Sequence, residues 1–202
     1  MALLDSRNTG PEAKSPTIRW QAAQNLGDLQ AIEALPLLIK HGLDRVADRD
    51  PSVRRECIIA VGKMHYTGLD DERRVEVMAL IRKRLVSDEP GAIELDHSCR
   101  MALINTLVCL GLVKSNAIAL DSARVLHDVA AYMYLRRESG EGTQALGLME
   151  TALNGLATVC FVSKREVEEV RATRSLERLL NEWWPARLNV LRDTKQIGRA
   201  HV

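Results

Sequence analysis

Aromatic residues are scarce in this chain, 3% of 202 residues with a single Phe. A core without rings must be built from Leu, Ile, Val, Ala and Met, whose compact side chains favour close helix packing over an aromatic-rich β-sandwich. Charge of one sign is equally absent. Lys and Arg number 28 against 27 Asp and Glu, a net charge of +1, so no global field attracts nucleic acid or anionic lipid, and a polyanion would need a local patch. No run approaches the ~18 apolar residues of a membrane span. The opening Met1-Ala2-Leu3-Leu4-Asp5 has neither a basic region nor a long apolar stretch, which leads to the expectation of a cytoplasmic protein with no membrane role. The four cysteines, Cys57, Cys99, Cys109 and Cys160, lie in apolar stretches without a C-x-x-C pair. They read as small core residues.

Arrangements that carry chemistry are missing too. The histidines at 41, 65, 97, 127 and 201 are scattered, with no His-x-x-x-His pair. Asp96-His97-Ser98-Cys99 brings reactive side-chain types together in sequence, but consecutive residues of a helix point in different directions and do not converge on one substrate atom. Asp71, Glu72 and Glu76 read as solvating charges. No strand precedes a glycine-rich phosphate loop. The sequence therefore reads as non-catalytic, with no metal and no cofactor.

What the chain does hold is a repeat. In Asp50-Pro51-Ser52-Val53-Arg54-Arg55-Glu56-Cys57-Ile58-Ile59-Ala60-Val61-Gly62, Asp50 is placed to cap a helix and Pro51 suits its first position, where no N–H is needed. Val53, Cys57, Ala60 and Val61 then share one face. Ser15-Pro16-Thr17-Ile18-Arg19 upstream and Asp96-His97-Ser98-Cys99-Arg100 downstream repeat the order of cap, small apolar residue and Arg. Self-similarity at a spacing of ~20–50 residues marks a stacked-repeat architecture.

Taken in order, residues 1–14 around Asn8-Thr9-Gly10-Pro11 read as a flexible leader. Helices are expected from Ser15 to about Gly27, from Leu29 to Gly42 with Pro36 bending it or marking its true first turn, and from Asp50 to Gly62–Met64. Asp70 and Asp71 open the next, which runs to Val86. On it Val75, Met78, Ala79, Ile81, Leu85 and Val86 form the expected apolar face, with Arg73, Arg74, Arg82, Lys83 and Arg84 mostly in water. The helix from Asp96 to Gly111 is apolar all round through Met101, Leu103, Ile104, Leu107, Val108 and Leu110, as a central or partner-covered helix must be. Further helices are expected over Leu120–Arg137 and Thr143–Phe161. Ser163 is read as the cap of another that reaches Trp184, where Leu176, Leu179, Leu180 and Trp183 close the stack. Residues 185–202 form a basic C-terminal helix or tail.

The motif Asp50-Pro51-x-Val53-Arg54-x-x-Cys57-x-x-Ala60-Val61-Gly62, preceded by Glu33-Ala34-Leu35-Pro36-Leu37-Leu38, resembles HEAT repeats of the armadillo-type α-solenoid family. Within that family it is most similar to the short bacterial subtype first noticed in phycobilin lyases. The motif carries the likeness over residues 15–64, more loosely to 111, and helix length alone carries it beyond. The resemblance implies an all-α fold over residues 15–184, a right-handed α-α superhelix of about four helical hairpins in which the Asp-Pro helices line a concave inner face. It also implies an arginine ladder. Arg19, Arg54 and Arg100 hold equivalent positions, so stacking brings like charges into register, and Asp50 and Asp96 are the expected neutralisers.

Positions beside each ladder Arg that point away from the core make two stripes, Trp20–Arg55–Met101 and Gln24–Ile59–Asn105. An aromatic, an Arg and a Met in one row suit an adaptable protein-binding surface. The expected function is a non-catalytic scaffold or adaptor that takes a protein or peptide on this face. Two alternatives follow from the resemblance. One is a bilin (tetrapyrrole) lyase or chaperone, for which a groove rich in Trp, Tyr and His is lacking; the other is a HEAT-like nucleic-acid binder, against which near-zero net charge argues. A homodimer through the apolar helix around Leu103–Leu110 or through Trp183-Trp184 is also open.

Overall fold

Asp50 performs the cap its position implies, its carboxylate accepting from the N–H groups of Ser52 and Val53 at 2.9 and 3.3 Å. The same chemistry starts two more helices, with Asp70 accepting from the Arg73 N–H and Asp96 from the Cys99 N–H. The computed structural model describes residues 15–44, 47–64, 69–87, 89, 91–113, 115–136 and 142–166. Among them are seven α-helices and no β-strand: α1 Pro16–Asp28, α2 Leu35–Gly42, α3 Pro51–Lys63, α4 Asp71–Leu85, α5 His97–Gly111, α6 Asn116–Arg136 and α7 Gly142–Glu166. The chain is all-α over these residues. No helix among them is long and apolar enough to cross a membrane.

Pro36 marks a true first turn. A 3₁₀ turn, Ile32–Ala34, leads in, and α2 opens at Leu35 with the proline where its missing N–H has no cost. Two expectations fail. α6 starts at Asn116, a turn earlier than Leu120, and α7 runs through Ser163 to Glu166 instead of stopping for a new cap. The leader, the expected closing face at Leu176–Trp183 and the basic tail lie outside the described residues.

α1, α3, α5 and α7 pack in succession, while α2 lies on α3, α4 on α5 and α6, and α6 on both α5 and α7. The first series is parallel and in register. At the N-terminal ends the Cys99 thiol donates to the Pro51 carbonyl at 3.2 Å. Further along, Thr106 Oγ1 donates to the Ile58 carbonyl at 3.0 Å, and Thr151 approaches Met101 while a Cβ on Gly155 would meet Val108. At the far ends α1 comes so close to α3 that a Cβ on Gly27 would lie 2.8 Å from the Ala60 Cα. Only glycine allows that approach. α5 is central, with Leu103, Ile104, Leu107 and Leu110 fully enclosed by the helices around it.

α4 departs most from expectation. Its buried face is Arg74, Val77, Met78, Ile81, Arg84 and Leu85, while Val75 is 43% exposed. Arg74 and Arg84 were assigned to water because charge is costly to bury without partners. Partners exist: the Leu69 carbonyl for Arg74, and the Ala92 carbonyl and Glu94 for Arg84.

The arginine ladder uses other acids than those expected. Arg19 Nε and Nη2 grip Asp48 at 2.8 and 2.9 Å, and Arg54 Nε and Nη2 grip Glu94 at 3.0 and 2.8 Å. Asp50 and Asp96, the expected neutralisers, are occupied as caps. Each ladder acid stands two residues before a cap and also accepts that cap's own N–H, Asp50 N to Asp48 and Asp96 N to Glu94, both at 3.0 Å. Each downstream Arg closes the joint by donating to carbonyls of the loop before its own helix: Arg54 to Asp48 and Arg49, Arg100 to Glu94 and Leu95. One carboxylate thus joins a helix, the next loop and the next cap.

Burial opposes the charge on Asp48, but contact with His41, whose Nδ1 is 3.7 Å away, and the bonds from Arg19 and the Asp50 N–H hold its carboxyl well below the usual range. Glu94 is likewise lowered, with the Arg54, Asp96 and Arg84 bonds outweighing burial, and Asp96 is lowered chiefly by its Ser98 bond. Carboxylates with depressed native pKa values add stability that is fully present above the unfolded value near 4 and lost as pH falls through the native one. The urea midpoint is therefore expected to hold from pH 7 to about 5 and to decline below, with Asp48→Asn flattening that acid limb. At pH 7 Glu94→Ala, which strands half-buried Arg54 and buried Arg84, is expected to cost about 3–5 kcal/mol. Asp128→Ala, which removes the exposed Arg82 partner, is expected to cost under about 1 kcal/mol in the same urea titration.

Candidate functional site

A groove of about 640 Å³ follows the valley between α3 and α5 and reaches the last turn of α1. From α3 come Arg55, Ile59, Gly62 and Lys63; from α5 come Ser98, Met101, Ala102, Asn105, Thr106 and Cys109. Such spacing follows from helices packed side by side, because residues three and four apart share a face. Four of the six residues expected to bind a partner, Arg55, Ile59, Met101 and Asn105, line this one groove. Trp20 and Gln24 do not. Both are half-buried, with Trp20 packed against the core, and the end of α1 and the turn after it instead contribute Gly27, Asp28 and Gln30.

Polar groups sit mainly at the ends and are partly committed. Arg55 bonds the adjacent Glu56 at 3.0 Å and its side chain remains 42% exposed. At the other end Lys63 reaches across to Asp28. Ser98 donates to Asp96 and Thr106 to the Ile58 carbonyl. Between them the lining is mostly apolar, made by Ile59, Met101 and Ala102, with the exposed Asn105 beside them.

The Asp96-His97-Ser98-Cys99 stretch does not assemble a nucleophile. Asp96 is a cap, and Cys99 is buried with its thiol turned to the Pro51 carbonyl and pushed up to about 12 by burial and by Glu94. A thiolate is the reactive form, so this cysteine is inert near neutrality. Burial also raises the Cys109 thiol at the groove wall. No cluster of three or more metal-ligating side chains occurs among the described residues.

Sequence reasoning missed the lip of the groove. After α1, the Gln30 N–H donates to the Gly27 carbonyl and the Ala31 N–H to the Leu26 carbonyl, a Schellman-type ending whose left-handed position normally takes glycine. Gln30 occupies it at φ 50°. Beside it Leu29 is 77% exposed. That conformation costs a non-glycine residue roughly 1–2 kcal/mol. The Gly27-Asp28 pair advertises the end of α1 in the sequence, but not that Gln30 is the residue held there. Gln30→Gly is expected to raise stability by about 0.5–1 kcal/mol, seen as a melting temperature higher by about 1–4 °C.

Comparison of the chain with protein-family models, with curated proteins and with solved structures gives no match in any of the three.

Proposed function

We infer that the chain is a non-catalytic interaction module, built as a HEAT-type α-solenoid, that docks a segment of a partner protein in the groove between α3 and α5. The observation that carries this reading is the convergence of Arg55, Ile59, Met101 and Asn105, from two successive units, on one groove of about 640 Å³. That volume lies within the ~300–1,000 Å³ range of binding clefts. An apolar middle with a polarisable Met and an exposed Arg at one end has the make-up of an interaction surface.

The solenoid reading is supported by the serial packing of α1, α3, α5 and α7 and by two joints of the same design at Asp48 and Glu94. Units tied to their neighbours through equivalent contacts are the physical basis of repeat architectures. The groove's residues favour a protein over the alternatives. None lining it is aromatic or His, as a planar tetrapyrrole would need, and its charges are one acid against two bases, too few for a nucleic-acid backbone.

A photo-reactive amino acid placed at exposed Asn105 in the full chain tests this in cells. Adducts to protein are expected, and Arg55→Glu should reduce them several-fold without moving the melting temperature. Adducts insensitive to Arg55→Glu, or a bilin or nucleic acid retained on the purified chain in native mass spectrometry, would overturn the reading.

A further inference from the structure

We propose that the occupant of the groove is an amphipathic α-helix laid antiparallel to α3, with its N-terminus at Gln30 and Asp28 and its C-terminus at Arg55. This deepens the docking reading and rests on it. The first argument is backbone satisfaction. The walls are helices, whose own N–H and C=O groups bond internally, and the Ser98 and Thr106 hydroxyls already donate to Asp96 and to the Ile58 carbonyl. An extended peptide over Ile59, Met101 and Ala102 would bury its backbone groups with no ladder to join and only the single Asn105 amide at mid-groove to meet them. A helix brings its own.

Length agrees. From Ser98 to Cys109 the groove follows α5 for roughly 16 Å at 1.5 Å per residue, about three turns. Apolar side chains at i, i+4 and i+7 of an incoming helix fit that span and the apolar middle of the groove.

Charge sets the direction. α1, α3 and α5 are parallel, so their carbonyl ends gather at one edge, where partial negative charge accumulates. The last turns of α1 and α5 hold no basic residue, and α1 ends on an acid, Asp28. Lys63, the basic residue in the last turn of α3, is drawn across to Asp28. An incoming helix N-terminus, positive in its own dipole, is attracted there. Arg55 at the opposite end faces the incoming C-terminus, where it meets carbonyl oxygens. The left-handed Gln30 holds a side-chain amide at the edge where the incoming N-terminus arrives.

The probes are two phage-displayed peptide libraries, one of helix-constrained amphipathic sequences and one unconstrained. Both are selected on the full chain and counter-selected on the Arg55→Glu/Asn105→Arg chain, whose changes are at solvent-accessible positions. Helical clones with apolar residues at i, i+4 and i+7 are expected, binding the altered chain at least roughly tenfold more weakly, a loss of about 1.4 kcal/mol. A nitroxide on the N-terminus of one such peptide is expected to broaden the Gln30 side-chain amide signal and spare Ser98. Groove-dependent clones from the unconstrained library that contain proline would overturn the helix and leave docking standing. Broadening at Ser98 would overturn the direction alone. No groove-dependent clone from either library would overturn the docking reading itself.

Discussion

One carboxylate shared by three partners holds this structure in register. Glu94, 2% exposed, receives Arg54 from one helix, Arg84 from another and the N–H of the next cap. Asp48 repeats the scheme with Arg19 and the Asp50 N–H. Two bidentate guanidinium contacts of this kind fix both distance and angle between helices, which apolar packing alone leaves adjustable. Burial makes the arrangement demanding, since each ion has given up water and depends on its partners. Its worth lies in register more than in net stability.

Register then shapes the groove. Because α1, α3 and α5 start together at these joints, equivalent turns come level. Close approach through Gly27 and the Thr106 contact to the Ile58 carbonyl bring the helices near enough for their outward residues to form one continuous valley. A slip of one residue along either helix would turn Ile59 or Met101 by about 100° and scatter the lining. The same alignment places three carbonyl ends at one edge, so a single geometric fact sets the shape of the groove and its polarity. No dedicated charged cluster is needed.

Much of the fold was legible because its signals are local. Asp50 and Asp96 cap where sequence placed them, Pro36 marks the first turn of α2, and the all-round apolar pattern of α5 identifies the central helix. The misreadings share one cause. Arg74 and Arg84 were put in water, and Asp50 and Asp96 were given the ladder, because the partners that change those roles are remote in sequence or already occupied. Trp20 and Gln24 were aligned correctly by motif yet fell outside the groove, since alignment gives equivalence along a helix and not where the valley between helices runs.

Sequence alone determined that the described chain is helical, where most of its helices begin, and that Arg19, Arg54 and Arg100 are equivalent. These depend on capping, periodicity and proline geometry, which act within a few residues. Tertiary structure alone decided which acids meet Arg19 and Arg54, which side chains share the groove, and that Gln30 stands in a left-handed turn at its lip. Such facts depend on how close separate helices come, and that distance is set jointly by side chains 29 to 48 positions apart.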